Sequence, residues 1–586
     1  MKVKGTTITV KGKKYFKNKQ RIGGITLEST ILIREENDMG SASLLNSMEL
    51  EKEFLKSNES NFDVLLQKIS AIHEHLNNKD LNPKFKVNTF SYNEILDEVA
   101  IPEKGASSEE VFENLAELFE GSIRTQSPYS LFNMVPSPLI DTVAASTITQ
   151  LYNTNSLMDS FGGKVLLFEQ KIARMLGKLA GWNDAHGVAC NGGKLTLLYA
   201  VKSAISKIDP DSRNKGIDKN LVVLTNESSH YCVEHVCSIL GLGSDNCIRI
   251  KSEDGWKMNI KNLLETIEEQ HKNGKKVAAI ICAGGTTINF ACDDTVSVYK
   301  NVKELFENSN QDYFPYFHLD SVIGWLWMNF IGVSESELNE KIPNEKIRNK
   351  IMEVVKRIEG VSNFDSFGVD MHKNGLCPYS TSMFISKTDD NFDYLNDGKY
   401  SYGEDDYEFG NFRAYRYTFE NSRPATGIVN SWIAMNRLGR TGFQDYLIKL
   451  KDISEELKTK LEESEKISIL NKSLGWEIVF DIDFNRVEKK YNGSYESIAK
   501  AFMQYCWDEV NAGKVVPLIS IVPEYKIYPG DINHTAFLIF PMSMYLDSEI
   551  ISDIVIKLNE TIDEFETKVL SGDISIGQVD FEKPIR

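Results

Sequence analysis

From about residue 160 to 390, short apolar runs alternate with stretches of helical period. The runs at 187–190, 221–225, 247–250, 277–282, 315–319 and 382–386 have the length of buried strands rather than of helices. Continuous apolar strands separated by amphipathic helices predict an α/β unit with a mainly parallel sheet. Within it, Ile347, Ile351, Val354, Val355 and Ile358 predict a helix, read as a surface insertion. Beyond about residue 390 the texture changes. The stretch 389–412 is rich in Asp, Gly, Tyr and Asn and reads as a long mobile loop. A helical stretch at 424–465, strand-like runs at 475–484, 517–522 and 535–540, and a helix at 547–569 then predict a smaller α+β domain, with 571–586 as a tail.

Towards the N-terminus, β-branched pieces at 6–10 and 25–33 fit a small β-element, a tail or an arm exchanged between subunits. The stretch 43–78 reads helical with a break near 57–61, and 109–120 and 138–152 read as further helices. These changes of texture divide the chain into 1–110, an N-terminal extension with a helical segment, 111–390, the large α/β domain, and 391–586, the loop with the small domain.

Composition narrows the class. A chain of 586 residues with 41% apolar and 26% charged residues can bury a sizeable core in more than one domain. Its net charge of −18 argues against nucleic acid or an anionic membrane as partner. No apolar run is long enough to span a bilayer, and the basic start Met1-Lys2-Val3-Lys4-Gly5 lacks the apolar core of a signal peptide. The eight cysteines show no Cys-x-x-Cys pattern, so free thiols, no structural metal and a cytoplasmic location are expected.

Chemistry enters through segments that follow in a fixed order. Cys190-Asn191-Gly192-Gly193-Lys194 opens a helical run, and glycines before a helix let backbone N–H groups approach a phosphate. Ser229-His230-Tyr231 follows the apolar run at 221–225, and Ala283-Gly284-Gly285-Thr286-Thr287 follows that at 277–282. Then come His318-Leu319-Asp320 and Asp370-Met371-His372-Lys373. A lysine amine can hold an aldehyde cofactor as a Schiff base, and a buried carboxylate can keep a pyridine nitrogen protonated.

In this order the segments resemble the group II pyridoxal phosphate-dependent amino acid decarboxylases, the family of the aromatic amino acid, glutamate and histidine enzymes. The resemblance spans roughly residues 121–450. It implies a fold type I architecture, pyridoxal 5'-phosphate as cofactor, an amino acid substrate and a homodimer. It also implies that Lys373 is the Schiff-base lysine with His372 near the cofactor, that Asp320 pairs with the pyridine nitrogen, and that His230 stacks on the ring. His318 shares a strand face with Asp320 and is expected in the site. Thr286 and Thr287 match a Gly-Thr-Thr that bonds the cofactor or the histidine, and Asp293 matches an acidic supporting position. Gly192, Gly193 and Lys194 stand at the phosphate cup, where Lys194 replaces a Ser or Thr. Phe290 replaces a glycine and would narrow the space around its loop.

The resemblance further implies a loop tyrosine as proton donor, Tyr402 with Tyr400 and Tyr407 as competitors. Ser127 and Tyr129 match a segment bordering the substrate pocket, with Ser127 in place of a histidine, and Arg423 is a candidate anchor for a substrate carboxylate or a loop brace. The expected reaction is decarboxylation of an L-amino acid to an amine and carbon dioxide, with Lys373, His230 and a loop tyrosine as catalytic groups. The rival readings are another carbon–carbon lyase or aldehyde synthase on the same fold, and a non-catalytic binding scaffold.

Overall fold

The computed structural model describes the chain apart from residues 1–4, 11–12, 23–24, 34–53, 57, 77–79, 88–95, 97–98, 310, 399–411, 492–493, 528–532 and 577–586. The chain separates into two compact units: 1–79 with 88–120, and 80–87 with 121–586. In the first unit, β1 (Gly5–Val10), β2 (Lys13–Ile22) and β3 (Ile25–Ile33) form an antiparallel sheet in sequence order. Of the three possibilities for the N-terminal pieces, the backbone takes the β-element. Helices α1 (Phe62–His75) and α2 (Ser108–Leu118) follow, the latter opened by a capping box in which Ser107 and Glu110 satisfy each other's backbone N–H groups.

The second unit is built on a seven-stranded sheet. Its elements are α3 (Ile140–Leu151), α4 (Lys164–Leu179), β4 (His186–Cys190), α5 (Gly193–Ile208), β5 (Leu221–Asn226), α6 (Cys232–Ile239), β6 (Cys247–Ile250), α7 (Ile260–Lys272), β7 (Lys276–Ala283), α8 (Thr295–Asn308), β8 (Tyr316–Asp320), α9 (Glu345–Ile358), β9 (Ser366–Asp370) and β10 (Ser382–Ser386). The strand order is β4-β10-β9-β8-β7-β5-β6. Strands β9, β8, β7, β5 and β6 pair in parallel, whereas β10 runs antiparallel to both its neighbours. Strands β5, β9 and β10 are buried along their whole length, as strands covered on both faces must be.

Each apolar run expected to be a strand in this region forms one. Strand β9 was not expected: Ser-Phe-Gly-Val-Asp contains no apolar run and has a glycine at its centre. The glycine is a packing requirement, since a Cβ at Gly368 would lie 2.5 Å from Thr196 Oγ1 on α5. The helix expected from Ile347 to Ile358 is present as α9 but is no surface insertion. All five of the apolar residues that predict it are buried in the main core, so the helix is part of the packing.

The remaining elements are a helical stretch α10 (Thr426–Glu462) broken at Gly439, then β11 (Ile467–Ile469), β12 (Ile478–Ile482), α11 (Tyr495–Asn511), β13 (Ser520–Lys526), β14 (Asn533–Ile539) and α12 (Ser548–Ser571). The strands form an antiparallel sheet in the order β11-β12-β14-β13, covered by α11 and α12 over a core that includes Phe480, Phe502, Phe537 and Phe565. This is the small α+β arrangement expected from the change of texture.

Candidate active site

Strands β4, β5, β7, β8 and β9 all release their chains at one edge of the sheet, and that edge holds a cavity of about 170 Å³. Open α/β sheets bind ligands at these carboxyl ends. The wall contains Gly193 and Lys194 after β4, Ser229 and His230 after β5, and Gly285, Thr286 and Thr287 after β7. Asp320 closes β8, Asp370 closes β9, and His372 and Lys373 follow directly. Segments far apart in sequence therefore meet because parallel strands deliver them to one rim.

Lys373 Nζ lies 2.8 Å from Asp370 Oδ2. Burial pushes the lysine's pKa down, but the charge and hydrogen bond of Asp370 outweigh it, so the amine is held above its ordinary value. Asp370 is itself buried, and its Oδ1 accepts a hydrogen bond of 2.6 Å from Ser382 Oγ at the start of β10. A Cβ at Gly193 would stand 3.0 Å from Asp370 Oδ2, so the glycine lets helix α5 begin directly against this carboxylate. Asp370 belongs to the motif that marks Lys373, yet the sequence alone assigns it no role. Its place three residues before the lysine was the available signal.

Asp320 presents a different environment. Its Oδ1 is buried without a hydrogen-bond partner. Burial raises its pKa to about 6, Lys373 opposing the rise and Asp370 adding to it. His230 accepts the Cys232 N–H at Nδ1 over 3.2 Å, which places a neutral ring's proton on Nε2. Burial, then the charges of Lys373, Lys194 and Arg249, lower its pKa, so the ring is neutral near neutral pH. His372 donates from Nδ1 to the Thr381 carbonyl over 2.9 Å and packs against the ring of Tyr379.

Other expected residues stand elsewhere. His318 is buried beside the cavity rather than in its wall: Nδ1 faces Ser366 Oγ at 2.8 Å, and the ring stacks on Phe384. Burial lowers its pKa to about 3, so it is neutral. Gly192 makes the turn into α5 with φ at +105° and is not itself in the wall. Thr286 Oγ1 donates to the Ile288 carbonyl and accepts from Ala291 N–H, so it closes its own loop while facing the cavity. Asp293 accepts from Asn226 Nδ2 and from the Ala283 and Met258 N–H groups, each at 2.7 Å, and ties β5 to β7 beneath the site. Phe290 is not in the cavity wall, but it narrows the space around its loop as expected: a Cβ at Gly285 would stand 2.7 Å from its ring. Its ring turns into the core against Trp327 and Trp476.

The three residues expected at the substrate pocket are not brought to the cavity. Ser127 Oγ donates to the Leu81 carbonyl, and Tyr129 OH donates to Asp553 within the small-domain core. Arg423 is buried and bonds Glu169 through both terminal nitrogens, at 2.8 and 3.1 Å, as well as the carbonyls of Ala189 and Ser156. Of its two expected uses, substrate anchor or brace, its contacts are those of a brace between α4, β4 and the 420s. Tyr402, Tyr400 and Tyr407 lie outside the described residues. No helix among the described residues is long and apolar enough to cross a membrane.

The architecture is that of solved fold type I pyridoxal enzymes: the crystal structure of mouse CSAD superposes with a TM-score of 0.70 over 86% of this chain and 98% of that one, at 17% identity. Residues 91–320 match the family model described as the pyridoxal-dependent decarboxylase conserved domain. Glutamate decarboxylase of Drosophila melanogaster is 21% identical over 427 residues, 72% of this chain and 75% of the relative. Human cysteine sulfinic acid decarboxylase is 28% identical over 193 residues, 32% of this chain and 39% of the relative. The chain is thus similar to the pyridoxal-dependent decarboxylases, as its motifs implied.

Proposed function

We propose that the protein decarboxylates an L-amino acid with pyridoxal 5'-phosphate held through Lys373. The observation that carries this reading is the pairing, in one cavity, of a held lysine with a buried carboxylate whose Oδ1 has no partner. A buried unpaired carboxylate oxygen is costly unless something meets it, and a protonated pyridine nitrogen is a matching partner. The residues present therefore fit the cofactor. When bound, the cofactor supplies an electron-accepting ring that draws in the electrons of the broken bond to the substrate carboxylate.

The chain's own residues do the rest. Asp370 aims Lys373 Nζ and keeps a proton on it until the amine is needed. Asp320 would hold the proton at the ring nitrogen of the bound cofactor. His230, neutral and with Nε2–H available in the cavity wall, would face the bound ring and could pass a proton at neutral pH. Thr287 and His372 complete the wall, and His318 supports β8 from behind. We assign the proton returned to the substrate carbon to Tyr402, with Tyr400 and Tyr407 as the alternatives.

A homodimer belongs to the same reading. Helix α3 exposes Ile140, Val143 and Ile148, and Tyr152 at its end is exposed as well, apolar surface that a second copy would cover. So does a cytoplasmic location, supported by eight cysteines that are all buried free thiols.

The test is to add pyridoxal phosphate, reduce with borohydride and locate the label by mass spectrometry, then measure carbon dioxide release from a panel of amino acids. Label on Lys373 with carbon dioxide and an amine as products is the expected result. Carbon dioxide with an aldehyde, ammonia and hydrogen peroxide in place of the amine would make the protein an aldehyde synthase, label without carbon dioxide would make it a different lyase, and no label would leave only a scaffold.

A further inference from the structure

The balance of charge in the cavity singles out one side chain. Lys373 is committed to Asp370, and covalent attachment of a cofactor would remove its free ammonium. Two carboxylates, Asp320 and Asp370, line the same wall. A phosphate monoester would bring a further charge of about −1.5 to −2. Among the described lining residues the remaining lysine is Lys194, in the first turn of α5 directly after the Gly192-Gly193 turn.

Backbone N–H groups and the helix dipole already favour an anion at that place, and an ammonium adds a compact charge with three donors. Lys194 Nζ lies 3.0 Å from His235 Nδ1. An ammonium can only donate, so Nδ1 accepts and the imidazole proton sits on Nε2. The pair thus links the start of α5 to α6, which packs beside it and carries the wall residue Cys232. The charge of Lys194 reaches the interior. It is among the charges that, after burial, lower the pKa of His230, and it opposes the upward push of burial on the Cys232 thiol.

We propose that Lys194 grips the cofactor phosphate by charge and that His235 is a positioning residue that aims it. The inference rests on the pyridoxal phosphate reading and deepens it. Titrations with pyridoxal phosphate and with pyridoxal, which lacks the phosphate, test it through the visible band of the bound cofactor and its ³¹P resonance. Lys194→Met should weaken pyridoxal phosphate binding about tenfold or more while leaving pyridoxal within about twofold, and Lys194→Arg should keep most of the preference. His235→Ala should lose about threefold alone and nothing further in the Lys194→Met background. Equal losses for both ligands, or an unchanged preference with a normal label on Lys373, would overturn the inference and leave the decarboxylase reading intact. Wild-type protein that forms no adduct at Lys373 would overturn that reading, and the inference with it.

Discussion

Two buried ion pairs stand near the same edge of the sheet, Lys373–Asp370 and Arg423–Glu169, and they differ in what surrounds them. Arg423 is 4% exposed and Glu169 not at all, and both terminal nitrogens of the arginine are hydrogen-bonded twice. Lys373 keeps 21% of its side chain open towards the cavity, and among the described residues Asp370 is its one charged partner at bonding distance. Both pairs set a cation against a buried carboxylate. The lesson is that a buried cation with both ends of its fork satisfied braces the fold, whereas one with an open side is placed to react.

The comparison breaks most sharply at Lys373. Lys373→Ala should abolish the borohydride-trapped label and carbon dioxide release, read by mass spectrometry and trapped gas, while the protein still folds. Arg423→Met should do the reverse. It leaves Glu169 charged and buried, which costs about 3–5 kcal/mol in chemical denaturation, and folded protein should bind substrate with unchanged KM. Replacing Arg423 and Glu169 together with leucines should restore part of that stability, and a KM shift in the single variant would return Arg423 to the substrate.

Phe290→Ala sharpens the contrast between wall and core. With the ring packed on Trp327 and Trp476, truncation should cost about 3 kcal/mol and leave cofactor affinity unimproved. The smallest effect concerns Asp320. Its folded pKa of about 6 lies above the ordinary 3.8, so the folded state binds more protons and the cofactor-free protein loses stability as pH rises between those values. Asp320→Asn should flatten that slope, gain about 1 kcal/mol near neutral pH and still fail to decarboxylate. Thermal melts across the pH range read the slope, and an unchanged slope would show that the carboxylate is already paired.

The chain itself determined the parts that follow from local period and order. Continuous apolar runs such as 277–282 and 221–224 must be buried strands, because nothing polar interrupts them. The sequence of His230, Thr286, Asp320 and Lys373 along alternating strands and helices already implied one rim, since parallel strands release their ends on the same side. Strand β9 was hidden because Gly368 answers to Thr196, a residue about 170 positions earlier that only packing brings near.

What only the tertiary structure decided is which polar side chains remain available. Arg423, Ser127 and Tyr129 look as suited to a substrate as Lys194 does, until Glu169, Leu81 and Asp553 arrive from distant parts of the chain to occupy them. Asp370 acquires its role the same way, between Lys373 beside it and Ser382 across the sheet. Local sequence sets secondary structure because its forces act within a few residues, whereas the freedom of a buried polar group depends on partners that only long-range folding supplies.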